Sequence, residues 1–197
     1  MVINRKLNWR EHLKQVQKKV VKISGRISTL VANTWRLKSK AVETIYKGAV
    51  EPMILYEAEL WGQALERQWA KAALVKLQRS VLLRICKAYR TVPSDALQII
   101  TGIMPMDLKV MMAIEISIVK KEQQGTPFTL ANKRVVEKFQ EKWNQRWQQS
   151  TKSRATTDFF PTVNSKMAIK DMAQCLATTQ FMTGHSKFGD YLQRKSI

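Results

Sequence analysis

The 197-residue chain carries 34 Lys and Arg against 15 Asp and Glu, a formal charge of +19, with 45% hydrophobic residues and only seven Gly and five Pro. That balance excludes a disordered or collagen-like chain, leaves enough length to bury a core, and favours long helices. Self-repulsion from so much positive charge is best tolerated where a polyanion neutralises it, so nucleic acid is the first partner class to consider.

The first predicted element is a helix over about Trp9 to Val31, with Asn8 as N-cap and Glu11 three positions into it. Its apolar residues Trp9, Leu13, Val16, Val20, Ile23, Ile27 and Leu30 advance by alternating steps of four and three, which keeps them in one narrow stripe. Arg10, Lys14, Lys18, Lys22 and Arg26 recur every four residues and sweep across the opposite side as a basic ridge. A second helical segment begins near Ser39, and Pro52 either ends it or starts the next, with a break near Glu51. The third helix, about Glu66 to Lys87, buries Leu74, Leu77, Val81 and Ile85 and exposes Lys71, Arg79, Arg84 and Lys87.

Ser94 is read as the cap of a short helix ending at Gly102, followed by a dense apolar helix from Asp107 through Met111, Ile114, Ile118 and Val119, expected to be the most buried. Gly125-Thr126-Pro127 marks a boundary. Beyond it Val135, Phe139, Trp143 and Trp147 recur every four residues along a basic helix reaching about Gln149. Ser150 to Thr157 lacks an apolar anchor and reads as a linker, a last long helix runs from an Asn164 cap to about Gln180, and a short one lies near Phe188 to Lys195 after a turn at Gly184. With no convincing strand, the fold class is all-α.

Catalytic patterns are missing. Polymerases and nucleases that use two metals need several converging carboxylates, whereas Glu57 and Glu59 have no third acidic partner nearby and read as a solvated pair. There is no Gly-rich phosphate loop, no HExxH, no GxSxG and no nucleophilic triad pattern. Cys86 and Cys175, with His12 and His185, have no ligand spacing, so no metal, cofactor or small-molecule substrate is expected and Cys86 reads as a buried apolar residue. The longest apolar stretch, Val110 to Val119, contains Glu115 and is far below the roughly 18 residues of a membrane span. The opening Met1-Val2-Ile3-Asn4-Arg5-Lys6 is not followed by a secretory apolar region, which predicts an intracellular protein with no membrane partner.

Several blocks, in order, resemble the region just downstream of the palm in reverse transcriptases of LINE-type retrotransposons, elements without long terminal repeats, in particular the Jockey-like group. Leu7-Asn8-Trp9-Arg10-Glu11-His12-Leu13 resembles the LxWxxHL that opens the thumb, and Ile54-Leu55-Tyr56-Glu57-Ala58-Glu59-Leu60-Trp61-Gly62 resembles LYGxxxWG. Leu77-Gln78-Arg79, Leu82-Leu83-Arg84-Ile85 and Ala88-Tyr89-Arg90-Thr91-Val92 resemble LQRxxLLRI and AYRTV, the most specific block. Ala96-Leu97 with Gly102-Ile103-Met104-Pro105-Met106-Asp107-Leu108 resembles AL…AGxPPIDL, and Thr179-Gln180-Phe181-Met182-Thr183-Gly184-His185 with Phe188, Tyr191 and Leu192 resembles TQFLTGHGxFxxYL. The departures are Glu57 where the family has Gly, and Ser150-Thr151-Lys152-Ser153-Arg154-Ala155-Thr156 where it has STxGRWT.

The resemblance implies a helical thumb-like bundle over residues 1–127, a basic connector helix and linker over 128–158, and the start of a C-terminal domain over 159–197, cut before its zinc-binding cysteines. It also places the palm, with its catalytic aspartates, upstream of residue 1. The implied role is a nucleic-acid-binding thumb gripping a template–primer duplex, RNA or DNA, without catalysis of its own, nuclear where it acts within a retrotransposon protein. Candidate contacts are Arg10, Lys14, Lys18, Lys22, Arg26, Arg79, Arg84, Lys87 and Arg90. The competing reading is a helical scaffold whose Trp9 to Leu30 stripe docks a palm domain or a second copy.

Overall fold

In the computed structural model, residues 9–34, 39–122, 128–169 and 176–184 are described, and among them there is no strand. The all-α expectation holds. The elements are α1 (Arg10–Thr34), α2 (Ser39–Ile45), α3 (Glu51–Leu55), α4 (Ala58–Trp61), α5 (Gln68–Cys86), α6 (Ser94–Thr101), α7 (Met106–Glu122), α8 (Phe128–Gln148), α9 (Arg154–Phe159), α10 (Val163–Met167) and α11 (Leu176–Thr183). The Asn8 cap, the Gly125-Thr126-Pro127 boundary and the helix near Phe188 to Lys195 lie outside the described residues.

The sequence treats the third helix as one amphipathic helix among several, but α5 occupies the centre and packs against α1, α2, α6 and α7. Leu74, Leu77, Val81 and Ile85 are buried as expected, and Ala70, Gln78, Leu82 and Cys86 are buried with them. Such a wide buried surface needs neighbours on more than one side. α7, expected to be the most buried helix, is covered mainly toward its N-terminal half: Met106, Leu108, Val110 and Met112 are buried, whereas Met111, Ile114 and Val119 are partly buried and Ile118 is exposed.

Pro52 starts a helix. The chain between α2 and α3 is a π-helical turn, Tyr46–Val50, and Pro52 sits in the first turn of α3. A widened turn just upstream makes room for the proline ring, which would otherwise clash with the carbonyl four residues back. Ser94 does not cap α6. The cap position is Pro93, and the Ser94 hydroxyl accepts from Arg79 Nη1 at 3.1 Å. Gly102 does close α6, at φ 68°.

Residues 150–157 are not a plain linker: α9 begins at Arg154, with Ser153 and Thr156 buried. Its anchors are polar, which hid them from a hydrophobic-pattern reading. Thr156 Oγ1 donates to the Met182 carbonyl at 3.0 Å, and Trp147 Nε1 donates to the Phe160 carbonyl at 2.7 Å. The last long helix is also divided. Thr162, not Asn164, caps α10 through a reciprocal pair with Ser165, and the helix ends at Met167, with α11 following at Leu176.

Glu57 has φ 53° at the N-cap of α4, in the left-handed region where a side chain is strained. This is the position at which the resemblance expects Gly. Glu57→Gly is therefore expected to stabilise the fold by about 0.5–1 kcal/mol, because relief of left-handed strain exceeds the added entropy of the unfolded glycine. Paired urea unfolding curves read this, and a lower midpoint for the variant would contradict it. A few residues later the Ile114 side chain lies against Gly62: a Cβ there would come within 2.2 Å of Ile114 Cδ1 and would push the end of that side chain aside.

Candidate nucleic-acid interface

The basic ridge follows from how α1 is seated. Leu13, Val16 and Val20 are buried, with Trp9 and Ile23 packed at the margin, and α1 lies against α5. A helix held by that stripe must turn its opposite side outward. Arg10, Lys14, Lys18, Lys22 and Arg26 are accordingly all exposed, and Lys19 joins them. At 1.5 Å per residue the row runs about 24 Å along the helix.

Little acid opposes this row. Glu11 reaches Lys14 at 3.5 Å, and among the described residues Lys18, Lys22 and Arg26 form no ion pair. Arg10 lies 5.1 Å over the Trp69 ring, which ties the start of the row to α5. Two exposed cations of α8 differ, since Lys138 is bound by both Glu115 oxygens, at 2.7 and 2.9 Å, and Lys133 lies 4.0 Å from Glu137.

The second group of candidate cations divides by role. Arg79 is half-buried, with Nη1 on the Ser94 hydroxyl and Nη2 on the Arg90 carbonyl at 2.5 Å, so its fork holds the loop after α5. Arg84 is also half-buried and donates to the Ser80 carbonyl; burial, with the nearby Arg90 charge, pulls its pKa down. Lys71, expected to be exposed, is half-buried as well. Lys87 and Arg90 are exposed. Lys87 ends α5 at φ 52°, with its N–H on the Arg84 carbonyl at 3.3 Å and the Ala88 N–H on the Leu83 carbonyl at 3.0 Å. This left-handed cap turns the chain so that Tyr89 and Arg90 face solvent.

The motif residues meet in the core. The His12 ring centroid lies 6.2 Å from that of Trp9 and 6.0 Å from that of Trp61, which brings the first and second motif blocks into contact. Trp61 is fully buried and donates from Nε1 to the Tyr56 carbonyl at 3.1 Å. Burial pushes the His12 pKa down, and the ring packs between Trp9 and Trp61. Cys86 is buried, its thiol pushed up to about 12 by burial, which makes it unreactive. Among the described residues no cluster of His, Cys, Asp and Glu is arranged to hold a metal ion, and no helix is long and apolar enough to cross a membrane.

Of the acidic pair, Glu57 is exposed and Glu59 is engaged by Lys121 and Ser117, whose hydrogen bonds lower its pKa. These contacts give Glu59 a link to α7 and bring no second carboxylate to it. Missed from sequence were the exposed aromatics Tyr89, Phe159 and Phe181.

A helical chain with an exposed row of cations, whose motif residues form its own core, is similar to the Pol polyproteins of retrotransposable elements. The relatives include the Retrovirus-related Pol polyprotein from type-1 retrotransposable element R1 of Bradysia coprophila, 25% identical over 98% of this chain and 20% of the relative. Another is the R1 2 Pol polyprotein of Nasonia vitripennis, 24% identical over 97% of this chain and 50% of the relative. A third is the putative 115 kDa protein in type-1 retrotransposable element R1DM of Drosophila melanogaster, 23% identical over 100% of this chain and 21% of the relative. The chain thus spans half or less of the length of these relatives. No protein-family model matches it. No solved structure matches it either.

Proposed function

We propose that this chain is the post-palm region of a retrotransposon reverse transcriptase, a helical thumb whose α1 ridge lies along a template–primer duplex and which has no polymerase chemistry of its own. The observation that carries the reading is the exposed, sparsely neutralised row Arg10, Lys14, Lys18, Lys22 and Arg26 on a helix fixed by its opposite face. Similarity to Pol polyproteins over nearly the whole chain supports it. Lys and Arg spaced along a rigid helix neutralise phosphates and release counterions, a term independent of sequence. In this reading residues 1–127 are the thumb, 128–158 the connector and 159–197 the opening of a C-terminal domain. The Arg146–Asp107 pair and the Thr179–Cys86 hydrogen bond join the three. The scaffold reading is less favoured because Leu13, Val16 and Val20 of the α1 stripe are already covered within the chain.

Duplex affinity is expected to fall with salt on a log–log slope of about −3 to −5, near −0.9 per phosphate neutralised. Lys14→Gln, Lys18→Gln and Lys22→Gln together should flatten that slope by about two to three units and leave helicity intact, since Gln is nearly as good a helix former as Lys. The control removes equal charge from α7 and α8 through Lys120→Gln, Lys133→Gln and Lys142→Gln. Equal losses in both variants would mean that net charge alone binds, and no loss in either would overturn the reading.

A further inference from the structure

Two exposed aromatic rings are in contact, and a third is tied to the helix that carries one of them. The Phe159 and Phe181 ring centroids are 5.1 Å apart with planes inclined at 52°, and Gln180 Nε2, one residue from Phe181, donates to the Tyr89 hydroxyl at 3.0 Å. Phe159 is 43%, Phe181 54% and Tyr89 47% exposed, which leaves a pair of touching rings and a tyrosine face in solvent. The surface is rigidly backed. Thr156 Oγ1 holds α9 to the Met182 carbonyl at 3.0 Å, and Thr179 Oγ1 holds α11 to the Cys86 carbonyl, at the end of the central helix, at 2.7 Å.

Cations border these rings in the chain. Lys87 and Arg90 flank Tyr89, and Arg154 opens the helix that ends in Phe159, with Lys152 just before it; all four are exposed. Asp158 is the acid beside Phe159. Aromatic faces fixed on a frame and bordered by Lys and Arg match single-stranded nucleic acid, whose unpaired bases expose π-faces and whose phosphates need cations. A duplex offers no such faces, because its bases are stacked on one another.

We propose that Tyr89, Phe159 and Phe181 form a stacking surface for unpaired bases, with Lys87, Arg90 and Arg154 taking the adjoining phosphates. It rests on the nucleic-acid reading above but assigns a second ligand, single strand, to a surface separate from the α1 ridge.

The test uses the full chain, a fluorescent dT20 strand, a duplex of equal length, and a dT20 carrying one 2-aminopurine, which is quenched when it stacks. Phe159→Leu with Phe181→Leu keeps apolar bulk at exposed positions and removes the rings. The pair should weaken dT20 binding about tenfold or more and relieve the 2-aminopurine quenching, while duplex binding stays within twofold. Tyr89→Leu should weaken dT20 binding in the same direction. Unchanged dT20 affinity and quenching in the variants would overturn the stacking surface. Duplex binding by the parent without dT20 binding would sink this inference and leave the ridge standing. Binding of neither would sink both.

Discussion

Arg146→Met is expected to lower the unfolding free energy by about 3–5 kcal/mol, the cost of leaving a buried carboxylate without its partner. Asp107 is 2% exposed and accepts from Arg146 Nη1 at 2.9 Å and Nη2 at 2.7 Å. These hydrogen bonds raise the Arg146 pKa against the opposing effect of burial. Asp107 also lies in the first turn of α7, where backbone N–H groups favour negative charge, so the lower part of that range is the better expectation. Asp107→Asn alone should cost less, because the 41% exposed Arg146 side chain regains water while the buried carboxylate of Arg146→Met does not. Asp107→Asn combined with Arg146→Met should recover part of the loss. Urea unfolding followed by circular dichroism measures all three. A loss below about 1 kcal/mol for Arg146→Met would show that the helix N-terminus alone suffices for Asp107.

Gln78→Leu is expected to cost about 3–5 kcal/mol, because an apolar group of similar volume would orphan several buried polar atoms at once, each worth about 1–3 kcal/mol. Gln78 is fully buried. Its Nε2 donates to the Tyr46 hydroxyl at 3.1 Å and the Met104 carbonyl at 2.8 Å, and its Oε1 accepts from Gln98 Nε2 at 2.9 Å and the Met106 N–H at 3.2 Å. One side chain therefore ties the π-helical turn, α6 and the start of α7 to α5. Burial raises the Tyr46 pKa strongly, so its hydroxyl stays protonated and needs a partner in this site. Unfolding followed by the same signal tests this, and a cost under about 1 kcal/mol would mean that the four groups find other partners.

The resemblance blocks carry a lesson about what a motif encodes. Gln78 and Arg79 fall in one block, Trp9 and His12 in another and Trp61 in a third, and every one of them is held by packing or hydrogen bonds within the chain. These residues specify the fold. The same blocks also carry exposed residues proposed to touch nucleic acid, Arg10, Tyr89, Arg90 and Phe181, and a motif alone does not separate the two kinds.

What the sequence determined by itself was helical content, the seating and outward face of α1, and the four-residue stripe of α8, because each follows from periodicity within a single helix. Val135, Phe139, Trp143 and Trp147 are buried as that period requires. Tertiary structure alone decided which helix is central, since burial on several faces depends on neighbours far along the chain, as for α5 and Gln78. It likewise decided the fate of charged and polar residues. Arg79 is drawn into the fold by the Arg90 carbonyl and the Ser94 hydroxyl, partners beyond its own helix that local spacing does not reveal, and α9 forms where Thr156 and Ser153 find cover. The grouping of Tyr89, Phe159 and Phe181 depends on hydrogen bonds from α9 to α11 and from α11 to α5, such as the one Thr179 makes across 93 residues of sequence to Cys86. Period and charge act locally and are legible in order along the chain; satisfaction of buried polar groups is settled only when distant segments meet.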